Sequence, residues 1–102
     1  LTNEQSSTNS LQNELNVFAA LAIHNCGSDF QISKCIEESL ELSVELKKLE
    51  NGKGDADKII DELADAIITC NTVIHLFGKE RLENKVREKI NRAKERFKEG
   101  KC

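Results

Sequence analysis

The sequence predicts an all-α protein, a four-helix bundle-like subunit whose core is completed by oligomerisation. Apolar residues recur at three- and four-residue steps, with none of the strict alternation of a half-buried strand. The five glycines, Gly27, Gly52, Gly54, Gly78 and Gly100, fall where that period breaks, and proline is absent. Residues 66–78 contain no Asp, Glu, Lys or Arg. A chain of 102 residues is about one domain, too short to wrap such a helix on every side, so part of it is expected to meet a second copy.

Four helical segments follow, at about 10–25, 29–50, 55–77 and 79–98. Residues 1–9 are polar and expected to fray, leaving 10–102 as a single all-α domain. In the first segment Leu11, Leu15, Phe18 and Ala22 form a helical stripe, widened by Leu21 and Ile23. The second places Ile32, Cys35, Ile36, Leu42, Leu46 and Leu49 on one side and Glu37, Glu38, Glu41 and Glu45 on the other. The third opens with Asp61, Glu62 and Asp65 and then becomes apolar all round. The last is densely charged, with a thin seam of Leu82, Val86, Ile90, Ala93 and Phe97, the pattern of an outer helix covering one side of a bundle.

Composition excludes several functions. A net charge of −3 and only four aromatics, Phe18, Phe30, Phe77 and Phe97, argue against a nucleic-acid binder. No apolar run reaches the eighteen or so residues of a membrane helix, so a cytoplasmic protein with no membrane partner is expected. Cys26, Cys35, Cys70 and Cys102 make no CxxC pair and no metal spacing with His24 or His75, and reduced thiols are expected. The charge is segregated: residues 79–101 carry ten basic and five acidic side chains, and residues 1–78 carry five basic and thirteen acidic.

The acids suggest the chemistry. Glu38 and Glu41 stand three apart on the second helix, and Glu62 and Asp65 repeat that spacing on the third, so each pair emerges on one face. Like charges at this spacing repel, and two facing pairs make an oxygen-donor cage for a hard cation, Mg²⁺ or Mn²⁺, rather than for zinc or copper. A di-iron bundle is excluded because neither histidine has a glutamate three residues before it.

The run Glu37-Glu38-Ser39-Leu40-Glu41, followed by Glu62-Leu63-Ala64-Asp65, resembles the EExxE…ExxD signature of the MazG-like all-α nucleoside triphosphate pyrophosphohydrolases. The lead-in Cys26-Gly27-Ser28-Asp29-Phe30-Gln31-Ile32 is similar to that of the short single-domain members, with Cys26 where a tryptophan often stands. The resemblance implies Mg²⁺-dependent hydrolysis of a ribo- or deoxyribonucleoside triphosphate to the monophosphate and pyrophosphate, in the service of nucleotide-pool house-cleaning. It implies Glu38, Glu41, Glu62 and Asp65 as metal ligands, and Glu37, Glu38 and Glu41 as the catalytic acids, Glu37 supporting the metal shell or orienting water. A homodimer or homotetramer is expected.

Without the tryptophan, an aromatic wall for the base falls to Phe18 or Phe30, and Gln31 is placed to line the pocket. Asn71 suits either a sugar or base edge or an interhelical contact. Lys79, Arg81, Lys85 and Arg87 are the cations nearest in sequence to the end of the third helix and are candidates for the β- and γ-phosphates. The rivals are a phosphoribosyl-ATP pyrophosphatase-like hydrolase and a non-catalytic helical interaction module whose acids are merely solvated.

Overall fold

The computed structural model describes the backbone of residues 2–102 and the side chains of residues 10–102. Four helices account for nearly all of it: α1 (Thr2–Cys26), α2 (Ser28–Glu50), α3 (Ala56–Phe77) and α4 (Lys79–Lys98), with no strand among the described residues. The expected frayed segment at 1–9 falls on side chains outside the described residues; its backbone from Thr2 onward belongs to α1.

The breaks follow from local chemistry. Gly27 joins α1 to α2 at φ 84° and Gly78 joins α3 to α4 at φ 108°, a region side chains with a Cβ avoid. Gly78 N–H donates to Ile74 O at 2.8 Å, closing the last turn of α3. Asp55 caps α3 by accepting from Asp57 N–H at 3.0 Å.

Helices α2 and α3 form an antiparallel hairpin, and α1 packs mainly on α3 and more lightly on α2. Polar ties set the register. Asn71 Nδ2 donates to Leu15 O at 3.1 Å, His75 Nε2 lies 3.1 Å from Asn16 Oδ1, and Gln31 Nε2 donates to Ala22 O at 3.0 Å. Among the described residues, helix α4 touches only α3. The radius of gyration is 16.5 Å, well above the roughly 13 Å of a compact chain of this length.

The pattern of burial departs from the expected one on three helices. On α1 the inward line runs through Leu15, Ala19, Ala22 and Ile23, while Leu11, Phe18 and Leu21 are exposed. On α2 the buried residues are Gln31, Glu38 and Glu45, and Ile32, Ile36, Leu46 and Leu49 are exposed. The inward line of α2 runs through Gln31, Cys35, Glu38, Leu42 and Glu45 and so draws on both sides, with Glu37 and Glu41 exposed. Helix α4 buries nothing, and Leu82, Val86, Ile90 and Phe97 all stay exposed, so within one protomer it covers no side of a bundle. Helix α3 is covered on one side only, that of Ala66, Thr69 and Thr72, with Ile60, Leu63, Ile67 and Phe77 exposed along the other. The common cause is the small apolar interior: among the described residues, Ala19 and Ala66 are the only buried apolar ones. Three helices of this length have more apolar surface than they can bury against one another.

Candidate metal centre and adjoining cavity

The α2–α3 hairpin brings the two acidic pairs together at its centre. Carboxylate oxygens of Glu38, Glu41 and Glu62 lie within 4.8 Å of one another, and so do those of Asp61, Glu62 and Asp65. Glu62 belongs to both groups and joins α2's acids to α3's. Asp61 is an addition to the four ligands read from the motif. Its position four residues before Asp65 places it on the same helix face, a sign already present in the spacing.

Burial sets Glu38 and, in part, Glu62 and Asp65 apart from a solvated surface, while Glu41 and Asp61 are exposed. Glu38 is only 6% exposed. Its Oε1 lies 3.2 Å from Lys34 Nζ, while its Oε2 and the Oε2 of Glu62 are buried with no hydrogen-bond partner. A buried polar atom without a partner costs roughly 1–3 kcal/mol, more when charged. Two such oxygens at one junction are what a bound cation would satisfy, and an all-carboxylate donor set fits a hard ion.

The electrostatics agree with the crowding. The Glu41 carboxyl is raised above its ordinary 4.5, first by its hydrogen bond with Glu38, then by the charge of Glu38, by burial, and by the charges of Glu62 and Glu37. Lys34 is raised in turn by hydrogen bonds to Glu38 and Glu37. Lys34 was missed in the sequence, although its place four residues before Glu38 is the standard signal for a helical ion pair. Glu37 is exposed and 3.4 Å from Lys34 Nζ, at the rim of the acidic junction.

A cavity of about 580 Å³ opens beside the acids between α1, α2 and α3. Phe18, Phe30 and Gln31 line it, as do Lys34, Glu38 and Asp65, so three of the side chains expected to hold substrate stand next to the carboxylates. Its walls are largely apolar, with Leu21, Ala22 and Ile68, and its floor includes Thr69 and Thr72. Both threonine hydroxyls donate to their own helix, to Asp65 O at 3.1 Å and Ile68 O at 3.0 Å. Gln31 gives its N–H to Ala22 O. What remains is acceptor capacity on all three side chains and the second N–H of Gln31. A second cavity of about 620 Å³ lies on the other side of Phe18, between it and Leu11.

Other expected contacts lie elsewhere. Asn71 does not line the cavity, its amide being engaged by Leu15 O. Arg81 and Lys85 line a separate depression with Phe77 and Leu82. Lys79 begins α4 seventeen residues beyond Glu62, about 25 Å along a helix, so these cations stand beyond the C-terminal end of α3, away from the acids nearer its middle.

Among the described residues, no helix is long and apolar enough to cross a membrane. The chain matches no protein-family model, no curated protein and no solved structure.

Proposed function

We propose that this protein is a Mg²⁺-dependent nucleoside triphosphate pyrophosphohydrolase of the MazG-like type, working as a homo-oligomer. The observation that carries the reading is the pair of buried, unpartnered carboxylate oxygens of Glu38 and Glu62 beside a cavity walled by Phe18 and Phe30. A solvated acidic face has neither feature, and this favours the enzyme over the non-catalytic interaction module.

Glu38, Glu41, Glu62 and Asp65 would hold the cation, with Asp61 in reach of the last two. Mg²⁺ bound there would screen the triphosphate charge and acidify a water. The chain's own residues supply the rest. Phe18 and Phe30 flank the base, and the free acceptors of Gln31, Thr69 and Thr72, with the second N–H of Gln31, suit a base edge that carries N–H donors and an acceptor. Glu37, at the rim, orients the water that attacks the α-phosphorus; the bond from that phosphorus to the bridging oxygen breaks and pyrophosphate leaves. Lys34, paired with Glu38 and Glu37 in the free protein, is the cation placed to face the phosphates. Assembly is supported by the apolar stripe of α3, the uncovered seam of α4 and the extended dimensions of the single chain.

The test is a panel of canonical and damaged ribo- and deoxyribonucleoside triphosphates, and phosphoribosyl-ATP, with Mg²⁺, resolving monophosphate and pyrophosphate from diphosphate and orthophosphate. Pyrophosphate release from at least one of them is expected. No turnover across the panel, or clean release of orthophosphate, refutes the assignment.

A further inference from the structure

The acids of α2 lie on one flank of Glu38; the other flank carries sulfur. Counting at one hundred degrees per residue, Glu41 and Cys35 sit about 60° to either side of Glu38. Cys35 faces α3, where its Sγ is 3.8 Å from the Sγ of Cys70. Both are free thiols, Cys70 exposed and Cys35 half-buried, and they come from helices that the chain separates by a full hairpin. A disulfide needs its sulfurs at about 2.05 Å, so the pair must close by roughly 1.8 Å, within reach of side-chain rotation between two packed helices. Cys26 and Cys102 have no such partner among the described residues.

We propose that Cys35 and Cys70 are a modification site: a dithiol that a peroxide oxidises to a reversible intrachain disulfide, tying α2 to α3 beside the acidic junction. One thiolate attacks the peroxide, forming an S–O bond as the O–O bond breaks; the departing hydroxide takes up a proton and leaves as water. The second thiol, losing its proton, attacks the sulfenic sulfur, and the S–O oxygen leaves as a second water. Two thiols and one hydrogen peroxide thus give one disulfide and two waters, each sulfur losing one electron. Burial, followed by the hydrogen bond with Cys35, pushes the Cys70 thiol up, which slows its reaction with peroxide without preventing it. The bond forms within one chain, and a second copy seated on the apolar stripe of α3 would lie over its edge without supplying either sulfur.

The consequence is mechanical. Cys35 stands three residues before Glu38, and Cys70 five after Asp65. The bridge would pin the two acid-bearing helices at that point and close a loop of the chain between them, which restricts the unfolded state. The proposal does not rest on the chemistry assigned to the acids, and its readouts are mass and melting temperature.

The experiment treats the purified full chain with a small excess of hydrogen peroxide, then alkylates, digests and maps the peptides by mass. Expected are the loss of two hydrogens from the intact mass, one peptide pair joined through Cys35 and Cys70, and a melting temperature higher by at least about 5 °C. Dithiothreitol should reverse all three. The Cys26→Ser/Cys102→Ser double variant should still close, and Cys70→Ser should not. Cys35 and Cys70 both still alkylated after oxidation, or cross-links running only between chains through Cys26 or Cys102, would overturn the proposal. The peptide map on the unaltered chain decides this even where a serine variant fails to fold.

Discussion

Helices α2 and α4 are both long, charged and amphipathic, yet the fold treats them in opposite ways. Helix α2 turns glutamates inward, with Glu38 and Glu45 buried, and leaves Ile36, Leu40 and Val44 outside. Helix α4 buries nothing and holds its charges in exposed pairs such as Lys85–Glu88 and Arg92–Glu88. Glu45 is matched by Lys48 at 3.1 Å, which accounts for its burial, but Glu38 and Glu62 each keep an oxygen without a partner. On α4 the paired charges are ordinary solvated structure. A buried carboxylate oxygen that no neighbour meets destabilises the fold and points to a ligand.

The sharpest way to break this contrast is to neutralise Glu62, the carboxylate common to both acidic groups. Glu62→Gln should abolish turnover. A cation that binds only the folded protein stabilises it by about 2.7 kcal/mol at a hundredfold excess over Kd, and in the variant the Mg²⁺-dependent rise in Tm should vanish. Glu41→Gln and Asp65→Asn should do the same, with metal-free folds no less stable than the original because each removes a repelling charge. Wild-type turnover and metal titration in these variants would mean that the acids are merely solvated.

Assembly carries the next largest effect. Ile67 is 56% exposed in one protomer, so Ile67→Lys should leave a lone chain folded while shifting sedimentation from dimer or tetramer toward monomer. A monodisperse wild-type monomer at micromolar concentration would sink the oligomer.

Acidity sharpens the comparison further. Glu41 is raised above 4.5 in the folded protein, so its contribution to metal-free stability is fully present below that pH and is lost as pH rises through its folded value. The metal-free Tm should fall over that window, and Glu41→Gln should remove this part of the fall. Mg²⁺ affinity should rise over the same window, since the ligand must lose its proton first. Followed by thermal melts with and without Mg²⁺, identical profiles for wild type and variant would count against the crowded junction.

The smallest effect belongs to α4. Lys85→Ala breaks an exposed pair with Glu88, and such pairs contribute little. Tm should hardly move, and neither should pyrophosphate release, since Lys85 lies away from the acids.

Much of this was legible in the residues. Glycine positions and the 3.6-residue period placed the ends of α2, α3 and α4 within a residue, and the i, i+3 spacing of the acids anticipated their meeting. Which side of each helix faces inward was less legible. Periodicity reports an apolar side but not its partner, and on α2 much of that side, from Ile32 and Ile36 to Leu46 and Leu49, is uncovered because Gln31, Glu38 and Glu45 share the hairpin junction with Cys35 and Leu42. Lys34 went unread for a related reason: a lysine four residues before a glutamate is ordinary on a solvated helix, and only the burial of Glu38 makes it part of a site.

The joint of the hairpin carries a consequence for how this chain can vary. A Cβ on Gly54 would lie 2.6 Å from Leu49 Cδ1 and 2.8 Å from its Cα, so the connection is pressed against the end of α2. It acts as a ruler from which both acidic motifs are measured. One residue inserted in α2 between Glu41 and that joint would rotate the upstream acids by about 100° and advance them by about 1.5 Å, carrying Glu38 and Glu41 away from Glu62. Single-residue insertions and deletions inside the hairpin are therefore barred, while the ends of α4, which position none of the acids, are free to lengthen or shorten.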